Sequence, residues 1–180
     1  IGALPAAVLG LLFDDIIDAH LMNAKVVATM LFLWGLVIIY IEKRNINNGN
    51  TITGMTYMTA FMIGIAQCFA MIPGTSRSAA TIIGGVLLGL ERVLATEFSF
   101  FLAIPTMFGA TFLTIVKSGM NLTAYEGALI ALGFVLAFVV SYIVIKVFLD
   151  YIKKHDFKIF GYYRIILGVI MLILLIFTSL

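Results

Sequence analysis

The chain has 180 residues, of which 63% are hydrophobic and 11% charged, with a formal net charge of +2, where soluble globular domains have roughly 45–50% and ~25%. With a mean hydropathy of +1.16, the composition excludes a soluble domain and predicts an all-α integral membrane protein, because long apolar runs recur where a barrel would show short alternating segments. The small net charge gives no reason to expect nucleic acid, and a single cysteine, Cys68, rules out an internal disulfide or a thiolate metal cluster.

The first apolar segment, Ile1 to Phe13, is shorter than the ~20 residues a span requires and has no basic leader. It reads as the remainder of a span, and the sequence as an N-terminally truncated piece. It runs into DDIIDAH, where Asp14, Asp15 and Asp18 read as a solvated turn or interfacial helix end in preference to a cation site, with His20 on the same surface. A second segment, Val26 to Ile41, closes on Tyr40, Glu42, Lys43 and Arg44, the pattern of an interface anchor. Asn45 to Thr53 is a turn-forming loop.

The run from Gly54 to Leu90 divides at Pro73 into arms of about 19 and 13 residues, roughly 28 and 20 Å if helical. The second is too short to cross alone, so a re-entrant helix hairpin is expected in preference to two full spans. Three further segments reach span length: Phe98 to Val116 with Pro105 inside it, Ala124 to Leu149, and Arg164 or slightly earlier to Leu180. The architecture predicted is one polytopic helical bundle. The loops at 42–53, 91–97 and 150–163 then share a side and carry Lys43, Arg44, Arg92, Lys153, Lys154 and Lys158, with Arg164 at the edge, while the other side holds only Lys25 and Lys117. That bias puts the basic set in the cytoplasm.

The stretch that asks for a function is Pro73-Gly74-Thr75-Ser76-Arg77-Ser78 with Thr81, a polar intrusion in an apolar run. An Arg near the bilayer centre costs roughly 2.5–3.5 kcal/mol even on lenient scales, so it is expected to have a task. Pro73 stops the long arm, and Gly74 allows backbone to approach a ligand without a Cβ in the way. The short arm, taken to begin at Ser78, aims its free N–H groups and positive dipole end into the loop. Arg77 can hold two phosphate oxygens at once. Ser76, Ser78 and Thr81 add hydroxyls, with Ser78 and Thr81 expected on one face. The bland alternative is a structural cap, with Arg77 paired to a carboxylate such as Glu97.

PGTSRSAAT resembles the PGxSRSxxT motif of the undecaprenyl-diphosphate phosphatase (bacitracin-resistance) family, and PAAVLGLLF, AQCFAMIPG and EFSFFLAIP are similar to flanking stretches of that family. The resemblance implies an inverted repeat of re-entrant hairpins and spans, with residues 1–41 the end of the first repeat and 54–180 the second. It implies a multi-pass protein of the bacterial inner membrane whose active site opens outward. The implied reaction is hydrolysis of undecaprenyl diphosphate to the monophosphate, which recycles the lipid carrier for peptidoglycan synthesis. Arg77 and Ser76 would be catalytic, Gly74, Thr75, Ser78 and Thr81 would bind phosphate, and Gln67 and Pro73 would support them. A divalent cation, Mg²⁺ or Ca²⁺, is implied, with ligands mostly outside this chain. The family's Glu-rich motif with its following Ser and His is not found here, Glu91 and Glu97 do not restore it, and His20 and His155 are no substitute. The chain alone is therefore expected to be inactive. The implied partners are the membrane and a polyprenyl diphosphate lipid, with a homodimer left open. The competing expectation is a polyprenyl-phosphate transporter or flippase, since broken helices that point at an anion also build transporters.

Overall fold

A computed structural model describes residues 1–44, 54–118 and 123–178. The described residues form seven α-helices: α1 (Leu4–Leu21), α2 (Ala24–Arg44), α3 (Tyr57–Cys68), α4 (Arg77–Leu87), α5 (Arg92–Ser118), α6 (Ala124–Ile152) and α7 (Lys158–Thr178), with a 3₁₀ turn at Phe69–Met71 after α3. Among them α2, α5, α6 and α7 are long and apolar enough to cross a membrane. The Asn45–Thr53 loop lies outside the described residues.

The two arms expected around Pro73 form a helix hairpin, α3 and α4. Thr56 caps α3 by accepting from the Thr59 N–H at 3.1 Å. The helix tightens into the 3₁₀ turn, and Ile72 leaves it extended (φ −74°, ψ 120°), the conformation a following proline demands. With 12 helical residues and three in the turn, the long arm spans about 24 Å. The arms run antiparallel because Gly84 lets Ala66 in, while Gly85 lies against Ala95 of α5 and Ile63 of α3. Ile63, Ile82, Val86, Leu90, Ala95 and Leu102 form the core shared by α3, α4 and α5.

Helix α1 runs parallel to α3, since Gly2 abuts Ala60 and Gly64 while Gly10 abuts Met71. Of the two expectations for the stretch after Phe13, a turn or a helix end, it is the helix that forms: α1 continues to Leu21. Nothing is described of the Asp14, Asp15 and Asp18 side chains; His20 is exposed, its Nδ1 3.1 Å from the Ile16 carbonyl.

Helices α2 and α7 pack antiparallel and very closely. A Cβ on Gly35 would meet Ile165 at 2.6 Å, one on Gly161 would meet Ile39 at 2.7 Å, and one on Gly168 would meet the Phe32 backbone at 2.8 Å. Small residues are what allow membrane helices this approach. Helix α6 opens with a full capping box, Thr123 and Glu126, yet most of its length is exposed. It touches the bundle near its end through Phe148, which meets Phe100 and Phe160 edge-on at 5.9 and 5.5 Å. Helix α5 begins at Arg92, so 91–97 is not a loop, and Pro105 is carried inside the helix.

Candidate functional site

The tip of the hairpin is built by local rules. Helix α4 starts at Arg77, one residue earlier than the sequence reading, because Ser76 is its N-cap: the Ser76 Oγ accepts from the Ala79 N–H at 3.2 Å. The Ala80 N–H makes the first helical bond, to the Ser76 carbonyl, which leaves the N–H groups of Arg77 and Ser78 at the open end of the dipole. Ser76 keeps its own O–H proton to give. Before the cap, the Thr75 N–H closes a turn onto the Ile72 carbonyl at 3.0 Å. Gly74 holds φ +87°, and a Cβ there would lie 2.4 Å from the Val27 carbonyl oxygen. The close approach that the structure shows is to the backbone of α2.

That contact also fixes depth. Val27 is in the first turn of α2 and Glu42 in its last, a separation of about 22 Å along the helix. The tip therefore lies near one end of α2, while Glu42 and Arg92 meet at the other, with Arg92 Nη2 2.8 Å from Glu42 Oε2. The latter is a contact of opposite charges and not an aligned hydrogen bond.

Four polar atoms around the tip are buried with no partner among the described residues: Gln67 Oε1, Thr75 Oγ1, Arg77 Nη1 and Arg164 Nε. Buried polar groups are nearly always paired, so this cluster is an opening for something that accepts and donates hydrogen bonds. No described carboxylate pairs with Arg77, which removes the alternative of a Glu97 ion pair. Gln67, 2% exposed on α3, offers its Nε2 to Thr106 Oγ1 of α5 at 3.5 Å, a long contact.

Arg164 is the residue that sequence reasoning missed. It was assigned to the basic edge of the last span, but α7 begins at Lys158, which places Arg164 in the second turn. Its Nη2 donates to the Gly74 carbonyl, 90 residues away in the chain. The signal was available, since the cost that singled out Arg77 applies to any guanidinium inside a span.

Thr81 departs from expectation in the other direction. It is 1% exposed, its hydroxyl lies 2.6 Å from Ser99 Oγ on α5, and it can donate to the Arg77 and Ser78 carbonyls at 3.0 and 3.1 Å. It ties α4 to α5, and its hydroxyl is taken up by that contact. Three residues fall about 60° short of a full turn, so Ser78 and Thr81 look out on neighbouring sides of the helix.

The side that Ser78 looks onto is a cavity of about 230 Å³ between α2, α4, α6 and α7. Ser76, Ser78 and Arg164 line one end and Glu42 the other, with isoleucine and phenylalanine side chains between. Arg77, Thr75, Thr81 and Gln67 are not on its wall. Of the tip residues, the cavity wall therefore takes Ser76, Ser78 and Arg164.

A family model, bacitracin resistance protein BacA, matches residues 1–170. The chain belongs to the BacA family. It is 53% identical over 173 residues to undecaprenyl-diphosphatase 1 of Clostridioides difficile, covering 96% of this chain and 63% of that protein. It is 56% identical over 181 residues to the undecaprenyl-diphosphatase of Fusobacterium nucleatum (97% and 68%), and 54% identical over 179 residues to that of Desulfitobacterium hafniense (96% and 64%). The chain thus spans about two thirds of the length of the BacA relatives it matches. The expected family resemblance is borne out, and with it the all-α membrane architecture.

The divalent cation fits poorly with the described tip. Around it stand two guanidiniums, an amide and hydroxyls, a donor set suited to an anion, where Mg²⁺ and Ca²⁺ want carboxylates and other oxygens. No group of three metal-ligand side chains occurs among the described residues.

Proposed function

We propose that the tip is the phosphate-holding part of an undecaprenyl-diphosphatase, and that the whole protein hydrolyses undecaprenyl diphosphate to the monophosphate and phosphate. The observation that carries this reading is the set of unpartnered buried donors, Arg77 Nη1 and Arg164 Nε, at the open end of α4. A helix N-terminus and guanidinium forks are the surroundings a phosphate prefers.

In this reading water attacks the terminal phosphorus, the bridging P–O bond breaks, and the lipid monophosphate leaves with the bridging oxygen. Arg77 grips two oxygens of the terminal phosphate and offsets the charge that builds up as the bond breaks, an electrostatic role that is usually the largest catalytic contribution. Ser76 donates its O–H to a phosphate oxygen while its lone pair stays on Ala79. Thr75 and the Arg77 and Ser78 N–H groups complete the cradle. Arg164 braces the loop at Gly74 and directs its remaining N–H groups to the same anion. Thr81 and Ser99 hold the first turn of α4 at its angle.

The inner membrane and an outward-facing tip are part of the proposal. Lys43, Arg44, Arg92 and Lys158 gather at the Glu42 end of the bundle, and basic residues favour the cytoplasmic side. The tip is about 22 Å from that end along α2.

The test is Arg77→Lys in the full-length protein, purified in detergent and assayed for phosphate release. A Lys keeps the charge and loses the fork, and phosphate release should fall by about 10²-fold or more with binding of the lipid weakened less. Near wild-type release would overturn the reading. A wild-type protein that binds the lipid but releases no phosphate would instead favour a carrier.

A further inference from the structure

The apolar walls of the cavity beside α4 are not needed to grip a phosphate, and their position asks what fills the space between them. Its walls are Ile82, Ile83 and Val86 of α4 opposite Phe148, Phe157 and Phe160, surfaces that would hold neither an ion nor a polar solute. Its two ends differ from its walls. At the tip end are Ser76, Ser78 and the Arg164 guanidinium, with Nε buried and unpartnered. Toward the opposite end stands Glu42, whose side chain is 6% exposed and in contact with Arg92.

An anion-seeking mouth, an apolar barrel and a polar floor together specify an amphiphile with an anionic head and a hydrocarbon chain, inserted head-last. We propose that this cavity is the seat of the leading units of the substrate's polyprenyl chain, with the phosphates over the N-terminus of α4 and the chain descending along its Ser78–Val86 face. The inference rests on the phosphatase reading for the identity of the head, and on the cavity alone for the chain.

Geometry limits how much of the chain is held. Ser78 to Val86 runs for about 12 Å of helix, and a volume of about 230 Å³ is below the ~300–1,000 Å³ of pockets that take a whole drug-sized ligand. The slot therefore reads only the first few five-carbon units, and the Glu42–Arg92 contact stops the chain from running on. The remainder must leave sideways into the bilayer. The exit is beside α6, whose contacts with the bundle through Phe148, Tyr151 and Ile152 gather near its C-terminal end. Specificity then comes from the branched, rigid start of a prenyl chain fitting among isoleucines and phenylalanines, while total chain length is left unread.

The test separates chain from head. In the full-length protein, Ile83→Trp would fill the slot without touching the tip. The substrates are farnesyl diphosphate, whose chain reaches into the slot, and isopentenyl diphosphate, whose single unit does not. The expected result is a KM for farnesyl diphosphate raised roughly tenfold or more, with kcat/KM for isopentenyl diphosphate unchanged. Equal loss on both substrates, or loss on neither, would overturn the slot. A second measurement needs neither turnover nor a variant: a diazirine-bearing prenyl monophosphate, irradiated with wild-type protein in vesicles, should label Phe148, Phe157 or Ile83. Labelling confined to the exposed outer surface of α6 would also overturn it. If the label enters the slot while no diphosphate is hydrolysed, the chain site stands and the phosphatase reading falls.

Discussion

At the Glu42 end of the bundle, charges answer one another: Arg92 lies 2.8 Å from Glu42, and Lys158 Nζ lies 2.6 Å from Asp156 Oδ2. At the hairpin tip, some 22 Å away along α2, stand two guanidiniums, neither in an ion pair with a described carboxylate. Both regions put costly groups into an apolar chain. Pairing is what separates them. A charge matched within the fold is explained by the fold, whereas a buried donor left open on a capped helix end is what the proposed phosphate site would use.

The largest expected break in this contrast comes from Gly74→Ala. The left-handed φ alone costs about 1–2 kcal/mol, and the new Cβ would press on the Val27 carbonyl, so the tip must back away from α2. Stability should fall by about 3 kcal/mol or more, and phosphate release with it, measured by thermal unfolding in detergent and by the release assay. An unchanged Tm would show that the tip does not lean on α2.

Glu42→Ala tests the other pole. It leaves Arg92 without its partner; because Arg92 is 29% exposed, the loss should be about 1–3 kcal/mol, less than for a fully buried pair. The Tm should drop while kcat on isopentenyl diphosphate holds. A collapse of kcat at constant Tm would mean that this end also takes part in the chemistry.

The smallest effect belongs to Asp156, between α6 and α7. The hydrogen bond from Lys158 holds its carboxyl below the usual carboxylate range. A folded-state pKa below the unfolded one adds stability that is fully present above the ordinary Asp value of about 4 and is lost as pH falls below it. Asp156→Asn should shift Tm at neutral pH by no more than about 2 °C and flatten the Tm–pH curve only at the acidic end. A large change at pH 7 would show this exposed pair to be a structural lock.

The membrane class, the hairpin and its polar tip were legible in the chain, because span length and the Pro73–Gly74 break are properties of a line of residues. The family motif at Arg77 was legible for the same reason. The facing of Thr81 was not: a difference of about 60° around a helix decides whether it shares the side of Ser78 or meets Ser99, and only the packing of α5 on α4 settles it. Nor was the task of Gly74, which serves a neighbour in α2, nor the membership of Arg164, which meets the loop across 90 residues.

By itself the sequence determined which segments enter the bilayer and where an anion could be held, since water's refusal to follow apolar side chains, and the backbone's need to pair itself there, act residue by residue. The tertiary structure alone decided that a second guanidinium joins the first, that one of the expected hydroxyls is a strut, and that an apolar slot lies behind the tip. Those outcomes depend on which helix faces press together, and glycines such as Gly35, Gly161 and Gly168 set that by how close they let two backbones come.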